Sequence, residues 1–224
     1  IHRAPAPAAQ APRFAMGKAL EADNASFQER GMFEYHLYEL SERTTIDNAE
    51  IKQLSLFSPV TAKIQKLFIY DGAKNSKDVA VNVEFVNSEK DGLGLALPAG
   101  KVRVYKRDTD NALELVGEDA IDHTPKNEKV RLVLGNAFDL VGERRVTDTR
   151  SISSHMNEQK VEISLRNRKD QPVTITAVEH FWGDWDITQK SADFVKKDAY
   201  TAEFTVTVPP NGVKVVSYTA VNKF

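Results

Sequence analysis

The sequence predicts an all-β protein, an antiparallel β-sandwich, from two observations. Apolar residues alternate with polar ones along most of the chain, and turn residues interrupt these runs every 10 or so positions. Alternation with period two places successive side chains on opposite faces of a strand, as in antiparallel sheets with one buried face. No amphipathic helix is predicted after residue 30.

The predicted strands and turns follow one another along the chain. Turn chemistry is supplied by residues such as Gly, Pro, Asn and Asp, which favour local hydrogen bonds or left-handed backbone. It occurs near positions 71–72, 91–92, 98–100, 169–170 and 209–212. The alternating runs lie at 33–38, 79–85, 102–104, 130–134, 161–165, 173–175, 204–208 and 213–216.

A short internal sequence repeat predicts the domain organisation. The run 81–87 reads VNVEFVN and the run 161–167 reads VEISLRN, and each is followed by a Lys-Asp turn. Each half also ends in a strand introduced by an Asn-containing turn, at Asn127 and at Asn211. We therefore expect two tandem immunoglobulin-like units, residues 31–138 and 139–224, after a Pro/Ala-rich linker and lead-in over residues 1–30. The alternative is that strand–turn–strand patterns repeat by chance.

Composition excludes several classes of function. The 224 residues carry 30 Lys+Arg against 32 Asp+Glu, a formal net charge of -2, so no nucleic-acid surface built on bulk positive charge is expected. The absence of Cys excludes disulfides, thiol catalysis and Cys-ligated metals. No run approaches the roughly 18–20 apolar residues of a transmembrane segment.

Motifs for metals, cofactors and catalysis are weak. The five His residues are scattered, and the sequence contains no nucleophile elbow or phosphate loop. Asp108-x-Asp110-Asn111 resembles the start of an EF-hand loop, but lacks its glycine and glutamate and is interpreted as a hairpin turn. Adjacent Asp122 and His123 face opposite ways on a strand and are interpreted as part of a turn. We therefore predict no catalytic residue, metal or cofactor.

The segment 179–186, EHFWGDWD, is the most informative stretch for function. It contains both Trp residues, three carboxylates and a His. Aromatic rings beside carboxylates suit sugar binding, and Trp is also a favoured anchor at protein interfaces. The predicted binding residues are His180, Trp182, Asp184, Trp185 and Asp186. The alternative is that at least one Trp caps the core of the sandwich.

Three longer stretches carry a resemblance to a known family. They are LPAGKVRVYKRD (97–108), VGEDAIDHTPKNEKVRLVLGNAFDLVGERR (116–145) and SLRNRKDQPVTITAVEHFWGDWDI (164–187). They resemble an uncharacterised bacterial family, domain of unknown function four-one-three-nine, and are more distantly similar to the C-terminal part of mucoidy-inhibitor-like proteins. The resemblance covers residues 30–224. It implies the C-terminal β-rich region of a larger exported protein, and it implies no catalytic residues.

The start of the chain agrees with that expectation. The first residue is Ile1, and the run 4–12 reads APAPAAQAP, which favours extended, tether-like conformations. The sequence thus predicts a processed product or fragment, and the resemblance implies a periplasmic or outer-envelope location.

Three functions remain open from the sequence. The first is a non-enzymatic recognition or scaffolding module that binds a protein or glycan of the cell envelope. The second is an envelope hydrolase that uses an acidic/His site around 179–186, with Asp184, Asp186 or His180. The third is a structural spacer. The basic clusters at 143–145 and 166–169 are expected on solvated strand faces, with an Arg–carboxylate contact at a partner interface as the alternative.

Overall fold

The computed structural model describes residues 27–41 and 43–223, whose regular structure is almost entirely β. The predicted fold class is confirmed. The only helix among these residues is a short 3-10 helix, Glu89–Asp91. The strands are β1 (Phe27–Met32), β2 (Tyr35–Leu40), β3 (Gln65–Asp71), β4 (Asp78–Val86), β5 (Gly100–Arg107), β6 (Leu113–Ile121), β7 (Lys129–Ser153), β8 (Met156–Asn167), β9 (Val173–His180), β10 (Asp184–Lys190), β11 (Val195–Lys196), β12 (Thr201–Val208) and β13 (Val213–Lys223).

The described residues divide near Val60 into two compact units, and the first contains the hairpin β1–β2. Residues 27–30, predicted as lead-in, belong to β1 because they pair with residues 37–40. Phe33 was predicted to begin a strand but lies in the hairpin turn, with a φ of 55°. The predicted Pro/Ala-rich linker over residues 4–12 lies outside the described residues.

The second unit is built on a nine-stranded sheet, in the order β10-β13-β8-β7-β4-β3-β9-β12-β11. The hairpin β5–β6 forms a separate two-stranded sheet. All neighbours in the large sheet are antiparallel except β3 and β9, which pair in parallel, with Phe68 opposite Ile175. Parallel pairing requires a crossover connection, and here β4 to β8 provide it. The expectation of a purely antiparallel sandwich is corrected at this pair.

The core lies where the two ends of the sheet face each other. β12 contacts β8 and β13 without pairing with them, and β8 contacts β9 in the same way. Stacking between Phe204 of β12 and Tyr218 of β13, with ring centroids 5.3 Å apart, joins the two layers. The alternating inward residues of β8, β9 and β12 fill the space between them, including Val161, Ile163, Leu165, Ile175, Ala177 and Val206.

The boundary predicted near residue 138 falls inside β7. One part of this 25-residue strand pairs with β4 and the other with β8. Strands from both predicted immunoglobulin-like units therefore belong to one sheet, and the described residues on either side of 138 share one core.

The internal sequence repeat has a structural counterpart. In both copies an asparagine side chain binds backbone carbonyls at the end of a strand, an arrangement called here an asparagine corner. Asn87 directly follows β4, Asn167 is the last residue of β8, and both are fully buried. The Asn87 side chain donates to the carbonyl oxygens of Leu95 (2.5 Å) and Pro125 (2.9 Å). The Asn167 side chain donates to Gln171 (2.8 Å) and to a second proline carbonyl, that of residue 209 (3.1 Å). Each asparagine thus ties its own strand end to a distant turn.

Candidate functional site

The candidate site begins with a carboxylate on the buried face of β9. Val173, Ile175 and Ala177 point into the core, and the same alternation carries Glu179 and Phe181 inward after them. Glu179 is only 2% exposed. A buried carboxylate is costly unless it is paired and hydrogen-bonded, so this residue requires partners from the opposite layer.

Those partners are Arg144 of β7 and Tyr218 of β13. The Nε of Arg144 donates to both carboxylate oxygens of Glu179, at 2.9 and 3.1 Å, and the Tyr218 hydroxyl donates to Oε2. Burial, followed by the charge of Glu179, raises the pKa of Tyr218, so the phenol stays protonated as a donor. Burial opposes the charge on Arg144, but Glu179 and Tyr218 outweigh this effect and raise its pKa.

A cleft of about 890 Å³ opens beside this network. A smaller cavity of about 140 Å³ adjoins it and shares several of its lining residues. The larger volume lies within the range of ligand-binding pockets. The side chains lining the cleft that can hydrogen-bond or stack include Arg144, Gln159, Glu179, His180, Trp182 and Tyr200.

His180 stands at the cleft on the outward face of β9. Its Nε2 lies 3.0 Å from Oδ2 of Asp71, the last residue of β3. Asp71 also pairs with Lys74 at 3.3 Å. Burial of Asp71 opposes its ionisation, but His180 and Lys74 outweigh it and lower the pKa of the carboxyl. The imidazole is therefore held in place by an ionised carboxylate.

The two tryptophans occupy opposite environments. Trp182 is 79% exposed and lines the cleft. Trp185 is 5% exposed, stacks on Phe181 with ring centroids 4.1 Å apart, and donates from Nε1 to the Ala199 carbonyl at 2.7 Å. Trp185 is thus a core residue, which is the alternative that the sequence left open for one of the pair. Its buried ring is not accessible to a ligand.

The two aspartates predicted as binding residues lie elsewhere on β10. Asp184 and Asp186 are exposed, and neither is among the described residues that line the cleft. Asp184 Oδ2 lies 4.0 Å from Nζ of Lys223, opposite it on β13. Of the five predicted binding residues, the cleft therefore brings together His180 and Trp182.

Sequence reasoning missed the residues that complete the cleft. Arg144 was expected on a solvated strand face but reaches the buried Glu179 from 35 positions away. Its neighbour Arg145 does lie on the exposed face, where it pairs with Glu162. Tyr218, Asp71 and Tyr200 carried no local signal. The inward position of Glu179, two residues after Ala177, was the available sign that a buried cation lay opposite.

The remaining motifs have local structural roles. The stretch Asp108-x-Asp110-Asn111 forms the predicted hairpin turn between β5 and β6. The ring Nδ1 of His123 accepts from the backbone of Ala99 at 3.2 Å. Across residues 27–41 and 43–223, no three His, Asp or Glu side chains form a group suited to a metal ion. In the same part of the chain no helix is long and apolar enough to cross a membrane.

Comparison with protein-family models, curated proteins and solved structures found no match for this chain. The resemblance to the uncharacterised bacterial family therefore stays a prediction, as does the exported location that it implies.

Proposed function

We propose that this chain is a non-enzymatic recognition module of an exported bacterial envelope protein, and that its ligand binds in the cleft beside β9. The envelope location rests on the resemblance described above. The recognition role rests on the exposure of Trp182, since a tryptophan is usually largely buried and an exposed one beside a pocket is informative.

The surroundings of Trp182 support this role. The Arg144–Glu179–Tyr218 network is fixed on three strands behind the cleft, so the polar groups there are positioned before a ligand arrives. Rigid positioning lowers the entropy that a ligand must lose on binding. The ring of Trp182 offers a large apolar face at little conformational cost.

The spacer alternative is less consistent with these features. A module that only sets distance has no use for a cleft of this size or for an exposed Trp182. It predicts two buried tryptophans, whereas here only Trp185 is buried.

One observation favours the hydrolase alternative, namely the pairing of His180 with Asp71 at 3.0 Å. A carboxylate that orients an imidazole recurs in hydrolytic sites. The acids proposed for such an enzyme, Asp184 and Asp186, are absent from the described lining, and both oxygens of Glu179 already accept from Arg144. We therefore place this alternative second. It predicts hydrolysis of an envelope substrate that is lost in His180→Gln.

The test of the recognition role is ligand binding by the Trp182→Ala variant. A panel of envelope oligosaccharides and peptides is titrated against the protein, and binding is followed by calorimetry. We expect affinity for the bound member to fall at least about tenfold, which corresponds to about 1.4 kcal/mol, because a stacking surface is removed.

The matched control is Phe138→Ala. Phe138 is 98% exposed and lies on β7 outside the described lining of the cleft. It should bind as the parent does, and circular dichroism should show both variants folded. A panel ligand whose affinity is unchanged by Trp182→Ala, or a panel without any binder, would argue against a recognition cleft.

A further inference from the structure

The cleft is lined by the cationic donor Arg144 and by a carboxylate that is already paired with it. Glu179 is the only carboxylate among the described residues that line it. Both of its oxygens accept from Arg144, one also accepts from Tyr218, and the residue is 2% exposed. The carboxylate expected to bind neutral sugar hydroxyls is therefore already occupied.

Of the polar side chains that remain, Arg144 can only donate, whereas Gln159 can donate or accept and His180 already pairs through Nε2 with Asp71. Arg144 uses its Nε for Glu179 and also interacts with Tyr218, but its side chain is 28% exposed and lines both cavities, so part of it faces the cleft. Gln159 and His180 also line both cavities. A planar guanidinium fork matches the two oxygens of a carboxylate in a way that a neutral hydroxyl does not.

The aromatic residues of the cleft indicate what carries that carboxylate. Trp182 and Tyr200 are 79% and 58% exposed, and both line the larger cavity. Their faces suit a ring with an apolar side. A peptide in extended form would instead need a free strand edge. No such edge is offered by β9, which lies between β3 and β12, or by β8, which lies between β13 and β7.

From these observations we infer that the cleft binds an acidic sugar, a uronic acid residue of a glycan, with its ring against Trp182 and its carboxylate at Arg144. This inference rests on the proposed recognition function and names the ligand class of the same site. The buried network has a positioning role, because Glu179 holds the guanidinium of Arg144 through its Nε.

The ligand itself supplies the first test. Oligosaccharides of glucuronate and of galacturonate are compared with their carboxyl-reduced, neutral forms in calorimetric titrations of the full chain. We expect at least one acidic oligosaccharide to bind at least about tenfold more tightly than its reduced form, with affinity falling as salt is raised. Peptides that end in acidic residues are titrated as a third set of ligands, beside the acidic and the reduced oligosaccharides.

The outcomes separate this inference from the proposed function. Equal binding of acidic and reduced forms, or Trp182-dependent binding of peptides alone, would overturn the acidic-sugar assignment and leave a recognition cleft in place. No Trp182-dependent binding to any of the three sets of ligands or to the wider panel would overturn both.

A conservative variant tests the role of the guanidinium. Arg144→Lys keeps a cation opposite Glu179 but removes the planar fork, and we expect it to lose most of the preference for the acidic over the reduced form. Arg145→Lys, on the exposed neighbouring pair with Glu162, should keep that preference. If Arg144→Lys does not fold, Gln159→Ala replaces it, with a smaller loss of the same preference expected. An unchanged preference in the folded cleft variant would contradict the assignment.

Discussion

Trp182 and Trp185 stand three residues apart and face opposite environments. Trp185 points inward like Glu179 and Phe181. It stacks on Phe181 and belongs to the core. Trp182 points outward like His180 and lines the cleft. The contrast shows that one short segment contributes one side chain to the core and exposes another to solvent. Composition alone does not assign a role to either tryptophan.

The largest effect expected from this contrast is the loss of the buried ring. Trp185→Ala should lower the free energy of unfolding by about 3–5 kcal/mol, because it removes buried apolar surface and leaves a cavity. Trp182→Ala should change it by no more than about 0.5 kcal/mol, since the side chain is already in water. Chemical denaturation monitored by circular dichroism gives both values. Equal losses in the two variants would remove the distinction.

The second prediction compares two adjacent arginines through their carboxylate partners. Glu179→Gln leaves the charge of Arg144 without a counterion in the interior, and should lower the free energy of unfolding by about 3 kcal/mol. We take the lower end of the range because Arg144 is 28% exposed. Glu162→Gln breaks the exposed pair with Arg145 and should cost less than about 1 kcal/mol. A similar small cost in both would show that the Glu179 network contributes little.

The third prediction concerns the Tyr218 hydroxyl at alkaline pH. Its folded pKa is raised above the unfolded value of about 10, so its contribution to stability is fully present below that pH and is lost as pH rises further. Tyr218→Phe should cost about 1–3 kcal/mol at neutral pH, because Glu179 loses a buried donor. The difference in stability between parent and variant should shrink above about pH 10.

The control for this variant is Tyr200→Phe, since Tyr200 is exposed at the cleft. Denaturation at pH 7 and pH 11, with tyrosinate absorbance followed in parallel, measures both effects. A parent–variant difference that stays constant across this range would contradict the proposed protonated donor.

The smallest effect is expected at the cleft rim. Asp71 has a folded pKa lowered by His180 and Lys74, so its ionised form stabilises the fold above its unfolded pKa of about 3.9. That contribution is lost as pH falls through the lower folded value. Asp71→Asn should therefore cost less than about 1 kcal/mol at pH 7 and still less at pH 3, as measured by denaturation. If Asp71→Asn lowered the free energy of unfolding more at pH 3 than at pH 7, the lowered pKa of Asp71 would be contradicted.

Strand parity could be predicted from the sequence more reliably than strand pairing. The alternation of β8, β9 and β12 indicated the fold class, and its continuation along β9 places Glu179 and Phe181 on one face, as the structure has them. It could not give the parallel pairing of β3 with β9, because these strands are about a hundred residues apart and their pattern carries no direction. The sequence also could not show that β7 continues through residue 138, because alternation does not identify the strands with which a run pairs.

The candidate site was predictable only where its signal was local. Trp182 and His180 belong to a conspicuous stretch, and both line the cleft. Trp185 shares the parity of Phe181, so its burial could have been predicted by extending the alternation past Gly183. Arg144 and Asp71 lie on β7 and β3, respectively, and their meeting with β9 follows from tertiary pairing that no nearby residue encodes.

The asparagine corners at Asn87 and Asn167 depend on one side chain each and on backbone groups. Each corner is closed by one side chain that binds backbone carbonyls, which every residue type possesses. The residues that accept from each asparagine can therefore be replaced without removing the accepting carbonyl oxygens. One corner spans the hairpin β5–β6, and the other spans β9 to β12 with the cleft. In each case one buried side chain fixes the two ends of a long segment, so the loss of either asparagine would release both the strand end and the turn that it holds.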